Sequence, residues 1–231
     1  MPDADESVLD NPAWFALTGP QAALAVRRGD AARFDPAMSP FVGITDDSDA
    51  SWADLARLLG PGAPAVMFQI GRVPAGWTQT FSGRGLQMIA PVAGLTDSVD
   101  DPELIELGPG DAADMFELAE RTKPGPFERR TPEFGGYVGV RRNGALVAMA
   151  GERLHPPGWT EISAVCTDES ARGQGLAGRL VRRVASSIAK RGDRAMLHVA
   201  ESNTGAVALY ERLGFRIRRE VAFAAYLSPS D

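Results

Sequence analysis

Between Thr167 and Gly178 the chain reads Thr-Asp-Glu-Ser-Ala-Arg-Gly-Gln-Gly-Leu-Ala-Gly. Glycine at 173 and 175 and a small residue at 177 let several backbone N–H groups approach an anion with no side chain in the way. A β-branched run, Ile162 to Thr167, enters this turn, and an amphipathic segment, Leu176 to about Arg191, leaves it. A helix N-terminus there adds partial positive charge, so the stretch has the chemistry of a phosphate cradle. Gly173-x-Gly175-x-x-Gly178 also matches a dinucleotide-binding fingerprint on paper. That fingerprint closes the first strand of a long doubly wound domain, whereas here three antiparallel strands precede it and little chain follows. As a Walker A loop it fails at Arg179-Leu180, where a lysine and a hydroxyl side chain belong. Cys166 is the single cysteine, so no internal disulfide is expected. It alternates with Ile162 and Ala164, as a core side chain rather than a nucleophile does. His155 and His198 show no ligand spacing with it, and no structural metal is expected.

Arg172-x-x-Gly175-x-Ala177 resembles the (Gln/Arg)-x-x-Gly-x-(Gly/Ala) signature of the GCN5-related N-acetyltransferases. Asn203, Ala206, Leu209-Tyr210 and Leu213-Gly214-Phe215 resemble that family's closing segment. The likeness covers about residues 103–231. Within the family, Thr160-Glu161-Ile162 and Ala171 to Leu176 are most similar to the branch with glycine N-acyltransferase-like C-terminal domains. The resemblance implies that Arg172, Gly173, Gln174, Gly175, Leu176 and Ala177 hold the pyrophosphate of acetyl-CoA. It implies that backbone groups of Val165 and Thr167 bond the pantetheine amides, with an oxyanion donor near Val165. Asn203 is implied to hold the pantetheine arm, and capping the last helix would explain it equally well. Tyr210 is implied as the general acid for the departing thiolate, and an ordinary phenol pKa near ~10 suits that task. Packing against Val207 and Leu213 is its alternative reading. Glu161, eleven residues before Arg172, is implied as the general base, acting directly or through a water. His198 is the rival base by virtue of its natural pKa. Asp168-Glu169 stand where the family often has proline, and the two acids are expected to point outward.

The elements that must position these residues are legible in outline. Leu104 to Leu107 reads as a strand, Ala112 to about Arg121 as a helix capped by Asp111, and Tyr137 to Arg141 and Leu146 to about Leu154 as a hairpin turning at Asn143-Gly144. Trp159 to Thr167 is the strand entering the glycine turn. Leu176, Leu180, Val184 and Ile188 set the apolar stripe of the helix leaving it. Ala195 to Ala200, a helix Gly205 to Leu213, and strands Phe215 to Arg218 and Val221 to Leu227 close the order β-α-β-β-β-α-β-α-β-β.

Upstream, residues 1–10 read as disordered. Asn11 to Val26 reads as a helix broken at Gly19-Pro20, with Gln21 to Arg28 continuing as an alanine-rich turn or two. Phe41 to Ile44 reads as a strand, Ser51 to Leu59 as a helix capped by Ser51, and Ala65 to Ile70 and Leu86 to Ala90 as strands around a loop, Gly71 to Gly85. Residues 91–103 read as a linker. Ser82-Gly83-Arg84-Gly85-Leu86 echoes the glycine turn but leads into no helix, so no second cofactor site is expected.

The net charge of −6 lacks the basic face that nucleic acid requires. The excess acid lies in residues 1–100, which would favour a cationic acceptor or simply keep the protein soluble. No apolar run approaches the ~20 residues of a membrane span, and the acidic N-terminus lacks the parts of a signal peptide, so a cytoplasmic location is expected. The fold class is α/β, of the mixed, mostly antiparallel acyl-CoA N-acyltransferase type. Residues 103–231 are the N-acetyltransferase domain. Residues 1–100 are a smaller α/β part, with a degenerate copy of the same fold as one reading, that shapes the acceptor pocket or a homodimer interface. The implied function is transfer of an acetyl group from acetyl-CoA to a primary amine of a small molecule or peptide, by direct attack. A non-catalytic CoA-binding or protein-interaction module on the same fold is the alternative, and the length of the acyl donor stays open.

Overall fold

The computed structural model describes residues 4–68, 71–95 and 101–230. Along these the chain runs α1 (Pro12–Thr18), β1 (Ala25–Arg28), β2 (Ala31–Phe34), β3 (Val42–Ile44), α2 (Asp49–Leu59), β4 (Pro64–Phe68), β5 (Thr78–Ile89) and β6 (Ile105–Glu106). It continues through α3 (Ala112–Thr122), β7 (Val138–Arg142), β8 (Ala145–Glu152), β9 (Trp159–Thr167), α4 (Leu176–Lys190), β10 (Arg194–Ala200), α5 (Thr204–Arg212) and β11 (Arg216–Leu227). Strands β1–β3 make a small antiparallel sheet. The other eight make one sheet in the order β4-β11-β5-β10-β9-β8-β7-β6, antiparallel throughout except between β9 and β10. This is the mixed, mostly antiparallel α/β sheet with flanking helices that the sequence implies.

Local chemistry accounts for the elements around the glycine turn. Asn143 and Gly144 both adopt positive φ, 50° and 84°, which is what a two-residue hairpin turn between β7 and β8 demands. The α4 stripe of Leu176, Leu180, Val184 and Ile188 packs on one face of the sheet against Ala148, Ala150, Ile162 and Leu197. On the other face, α3 sets Met115, Leu118 and Ala119 against Met149, Ala164 and Cys166. Cys166 and Ile162 therefore lie on opposite faces, not on the shared face that alternation gives. The reason is a bulge: one extra residue of β9 is accommodated opposite β8 between Ser163 and Cys166, and Ala164 takes φ 53° there.

Several expected elements differ. The Met1–Asp3 part of the expected disordered terminus lies outside the described residues, but Glu6–Asp10 forms a 3₁₀ turn that buries Val8 and Leu9. Gln21 to Arg28 is not helical beyond Ala22–Leu24, and Ala25–Arg28 pairs with β2 instead. Helix α2 is capped by Ser48, whose Oγ accepts from the Ser51 N–H at 3.2 Å; Ser51 itself is buried inside the helix. Gln69 and Ile70 of the strand expected after Ala65, and residues 96–100 of the expected linker, lie outside the described residues. The two expected C-terminal strands are one, β11, with a register shift between Ile217 and Arg219.

The largest difference concerns the stretch expected as a loop, Gly71 to Gly85. From Thr78 onward it is strand β5, which lies between β10 and β11. Glycine at 85 allows this close pairing, because an added Cβ would collide with the Phe223 ring and sit 2.9 Å from the Val199 carbonyl oxygen. The boundary placed at residues 91–103 thus separates no two sheets: β4 and β5 from the N-terminal part belong to the same sheet as β6–β11.

Candidate active site

The parallel pairing of β9 with β10 lasts only from Trp159 to Glu161 against Arg194 to Met196. Beyond it the two strands part. Strand β9 goes on pairing with β8 alone and β10 with β5 alone. A cavity of about 560 Å³ fills the wedge, walled by Ile162 to Thr167 on one side and His198 to Ala200 on the other, with Asn203 and Tyr210 beyond. Backbone N–H and C=O groups of successive strand residues point to alternate edges. The Asp168 N–H goes to the Val147 carbonyl on the β8 side at 2.7 Å, so the groups of Val165 and Thr167 face the wedge.

The glycine turn stands at one end of this cavity, which Arg172 and Ala177 line. Gly173 and Gly175 take φ 77° and 72°, and a Cβ on either would meet nothing within 4 Å, so backbone conformation rather than crowding requires glycine there. Gly175 is the N-cap of α4 and no side chain caps the helix, which leaves its first N–H groups for a ligand. Gln174 is exposed with the glycines, whereas Leu176 is buried in the core. The Thr167 hydroxyl is buried and unpartnered among the described residues, which fits a polar ligand running along β9. Asp168 does not oppose an anion: it accepts from the Ser170 N–H at 3.1 Å and pairs with Arg121 at 3.3 Å, and Glu169 is exposed. Asn203 caps α5 through Oδ1, which accepts from the Ala206 N–H at 3.2 Å, and its side-chain NH2 donates to none of the described residues. These groups fit a phosphate-bearing thioester arm.

Tyr210 projects from α5 to the cavity and is 7% exposed, edge-on to Phe215 at 5.9 Å between ring centroids. Burial pushes its phenol up to about 12, and its hydroxyl has no hydrogen-bond partner among the described residues. Cys166 is buried on the α3 side, and burial pushes its thiol up to about 11, far from the thiolate a nucleophile needs.

Glu161 departs from the expectation of a direct base. It has no exposed surface and lines neither cavity of the site. Arg153 grips it bidentately, Nε to Oε2 at 2.9 Å and Nη2 to Oε1 at 2.6 Å, and His198 Nδ1 lies 2.7 Å from Oε1. Burial alone would raise this carboxyl; the Arg153 charge and the His198 hydrogen bond outweigh it and hold it at about 2. So enclosed, this carboxylate makes no direct contact with either cavity, and His198 and Arg153 stand between it and an amine there.

His198, the rival base, is engaged at both nitrogens. The Gln87 amide is fixed by two partners: its Oε1 accepts from Arg218 at 2.8 Å and its Nε2 donates to the Leu9 carbonyl at 2.8 Å. The same Nε2 lies 3.0 Å from His198 Nε2, which must therefore accept, leaving Nδ1–H to donate to Glu161.

Arg153 was not singled out from the sequence. It lies just past β8, its charged side chain is only 9% exposed, and it stacks over Phe41 at 4.7 Å. The signal was present in Glu152-Arg153, two adjacent charges closing an apolar strand. Arg153 and His198 also border a second cavity of about 380 Å³, whose walls include Phe41, Val66, Phe81 and Phe223. The N-terminal part thus supplies Phe41, Val66 and Phe81 to a pocket next to the wedge. Among the described residues no cluster of side chains could hold a metal ion, and no helix is long and apolar enough to cross a membrane.

The family model described as FR47-like protein matches residues 137–224. A crystal structure of a putative GNAT-family acetyltransferase from Novosphingobium aromaticivorans is 41% identical and superposes with a TM-score of 0.87, covering 96% of this chain and 99% of that one. The N-alpha-acetyltransferase RimI of Mycobacterium tuberculosis is 33% identical over 108 residues, 45% of this chain and 67% of that protein. The mycothiol acetyltransferase of Salinispora tropica is 42% identical over 90 residues, 35% of this chain but only 28% of that longer protein.

Proposed function

This chain belongs to the GCN5-related N-acetyltransferase family of acetyltransferases, and we propose that it passes the acetyl group of acetyl-CoA to a primary amine by direct attack. The observation that carries the reading is the wedge between β9 and β10, which leads from the uncapped α4 N-terminus to the unpartnered Tyr210 hydroxyl. Acetyl-CoA would supply an activated acyl carbon. The chain supplies binding, orientation and a proton. Arg172 and the N–H groups from Gly173 to Ala177 hold the pyrophosphate, and the wedge-facing backbone of Val165 and Thr167 and the Asn203 amide hold the pantetheine arm. A backbone N–H near the Ala164 bulge faces the acyl oxygen as it gains charge. Tyr210, a phenol that stays protonated at neutral pH, gives its proton to the departing sulfur.

Glu161 takes a positioning role in this scheme, fixing Arg153 and His198 where the two cavities meet. With Glu161 enclosed and both His198 nitrogens bonded, the proton of the acceptor ammonium leaves through water in the cavity. The likeness to glycine N-acyltransferase-like domains supports the place of Glu161 in the strand and nothing finer. Thiol release from acetyl-CoA across a panel of amines, read beside calorimetric binding of acetyl-CoA, tests the proposal. Release that depends on an amine is the expected result. Tight binding without release for any amine would leave a coenzyme A-binding module.

A further inference from the structure

The second cavity says what kind of amine is transferred to. Its walls are apolar and largely aromatic: Phe41, Val66, Phe81, Pro126, Phe223 and Ala225. Among the described residues its only charged lining side chain is Arg153, nine-tenths buried. Two guanidinium nitrogens, Nε and Nη2, are spent on Glu161, while Nη1 makes no hydrogen bond to the described residues. Arg153 lines both cavities, and a guanidinium nitrogen with no bond to the described residues is placed to donate to a ligand oxygen there. Among the described residues no aspartate or glutamate lines either cavity, so no carboxylate there would hold the second ammonium of a polyamine.

On the basis of the transfer reading above, we infer that the second cavity takes a free α-amino acid with an apolar, preferably aromatic, side chain as the acetyl acceptor, its carboxylate held by Nη1 of Arg153. The side chain lies among Phe41, Phe81 and Phe223. The α-amine then sits beside Arg153 and His198, which line both cavities, and faces the wedge. Because Glu161 already offsets the Arg153 charge, the site presents a strong donor without net charge, which suits a zwitterion. The step balances simply. One ammonium proton passes to water, the amine nitrogen bonds the acetyl carbon, the carbon–sulfur bond breaks as Tyr210 protonates the sulfur, and the second nitrogen proton returns to the Tyr210 phenolate as the amide forms.

The test uses the intact protein and four acceptors: phenylalanine, phenylalaninamide, phenethylamine and glycine. The expected kcat/KM for phenylalanine exceeds that for the amide and for phenethylamine by about tenfold to a hundredfold, the worth of one charge-assisted hydrogen bond. It exceeds that for glycine by a similar factor, from lost aromatic burial. In Arg153→Gln the advantage over phenethylamine disappears. Should that variant fail to fold, the wild-type ratios decide alone, together with Phe81→Ala, whose side chain is 57% exposed; it lowers the rate with phenylalanine more than that with glycine. Equal rates for phenylalanine, its amide and phenethylamine overturn the assignment while leaving acetyl transfer standing. Carboxylate-dependent binding of phenylalanine by calorimetry, with no transfer to any amine, keeps the cavity assignment and removes the transfer reading.

Discussion

A phenol and a carboxylate, both implied as proton carriers, meet opposite environments in this protein. Tyr210 is pushed up to about 12 by burial, so it holds its proton over the whole range in which an amine becomes nucleophilic. Tyr210→Phe is expected to lower kcat by about a hundredfold or more, as loss of a general acid does, with little change in acetyl-CoA binding. Steady-state kinetics and calorimetry on the same variant check this, and full activity would remove Tyr210 from the mechanism. Glu161 is held at about 2 against an ordinary 4.5, so the unfolded chain binds its proton more tightly than the folded one. The stability it contributes is therefore complete above about pH 4.5 and fades as pH falls toward 2. Glu161→Gln strands the buried Arg153 charge and should cost about 3–5 kcal/mol near neutrality. Urea unfolding across pH should show the gap between wild type and variant narrowing on acidification, and a constant gap would contradict the pairing. The place of Glu161 in the strand was legible from its spacing to Arg172. Its partners were not, because Arg153 returns to it across the Pro156-Pro157-Gly158 turn and His198 comes from a strand 37 residues later.

Elements whose identity rests on local pattern were read well, and those that rest on pairing were not. The α4 stripe, the Asn143-Gly144 turn and the span of β9 all follow from period and turn chemistry. The bulge at Ala164 left no trace, since alanine keeps the alternation intact while its backbone swings to φ 53°. It is this bulge that lies beside the splayed edge of β9 and the cavity. A β-branched side chain tolerates that conformation poorly. Ala164→Val is expected to lose about 1–3 kcal/mol of stability, visible as a lower thermal midpoint, and to weaken acetyl-CoA binding with it. The glycine turn behaves differently. A Cβ at Gly173 or Gly175 meets open space, so Gly175→Ala should cost only about 1–2 kcal/mol of backbone strain while raising the Kd for acetyl-CoA severalfold. An unchanged Kd would mean that the turn does not touch the ligand.

At the scale of the whole molecule, composition suggested a cut near residues 91–103, and the sheet runs across it. Nothing in the glycine-rich Ser82-Gly83-Arg84-Gly85 reads as strand, because its extended form comes from partners more than a hundred residues away: Gln87 opposite Arg219 on one side and His198 on the other. The same strand buries Leu86, Met88 and Ile89, each worth about 1.5–3 kcal/mol on burial, against a typical margin of about 5–15 kcal/mol for a whole domain. Removing β5 would also strip the ladder hydrogen bonds from β10 and β11 at once. Residues 101–231 expressed alone are therefore expected not to fold, although they carry the glycine turn, Tyr210 and every strand from β6 to β11. Full-length protein should unfold in one cooperative step, and the fragment should show no cooperative melt by circular dichroism and no acetyl-CoA-dependent shift. A fragment that melts cooperatively would mean that β10 and β11 close the gap without β5, and that residues 1–100 serve only to build the acceptor pocket.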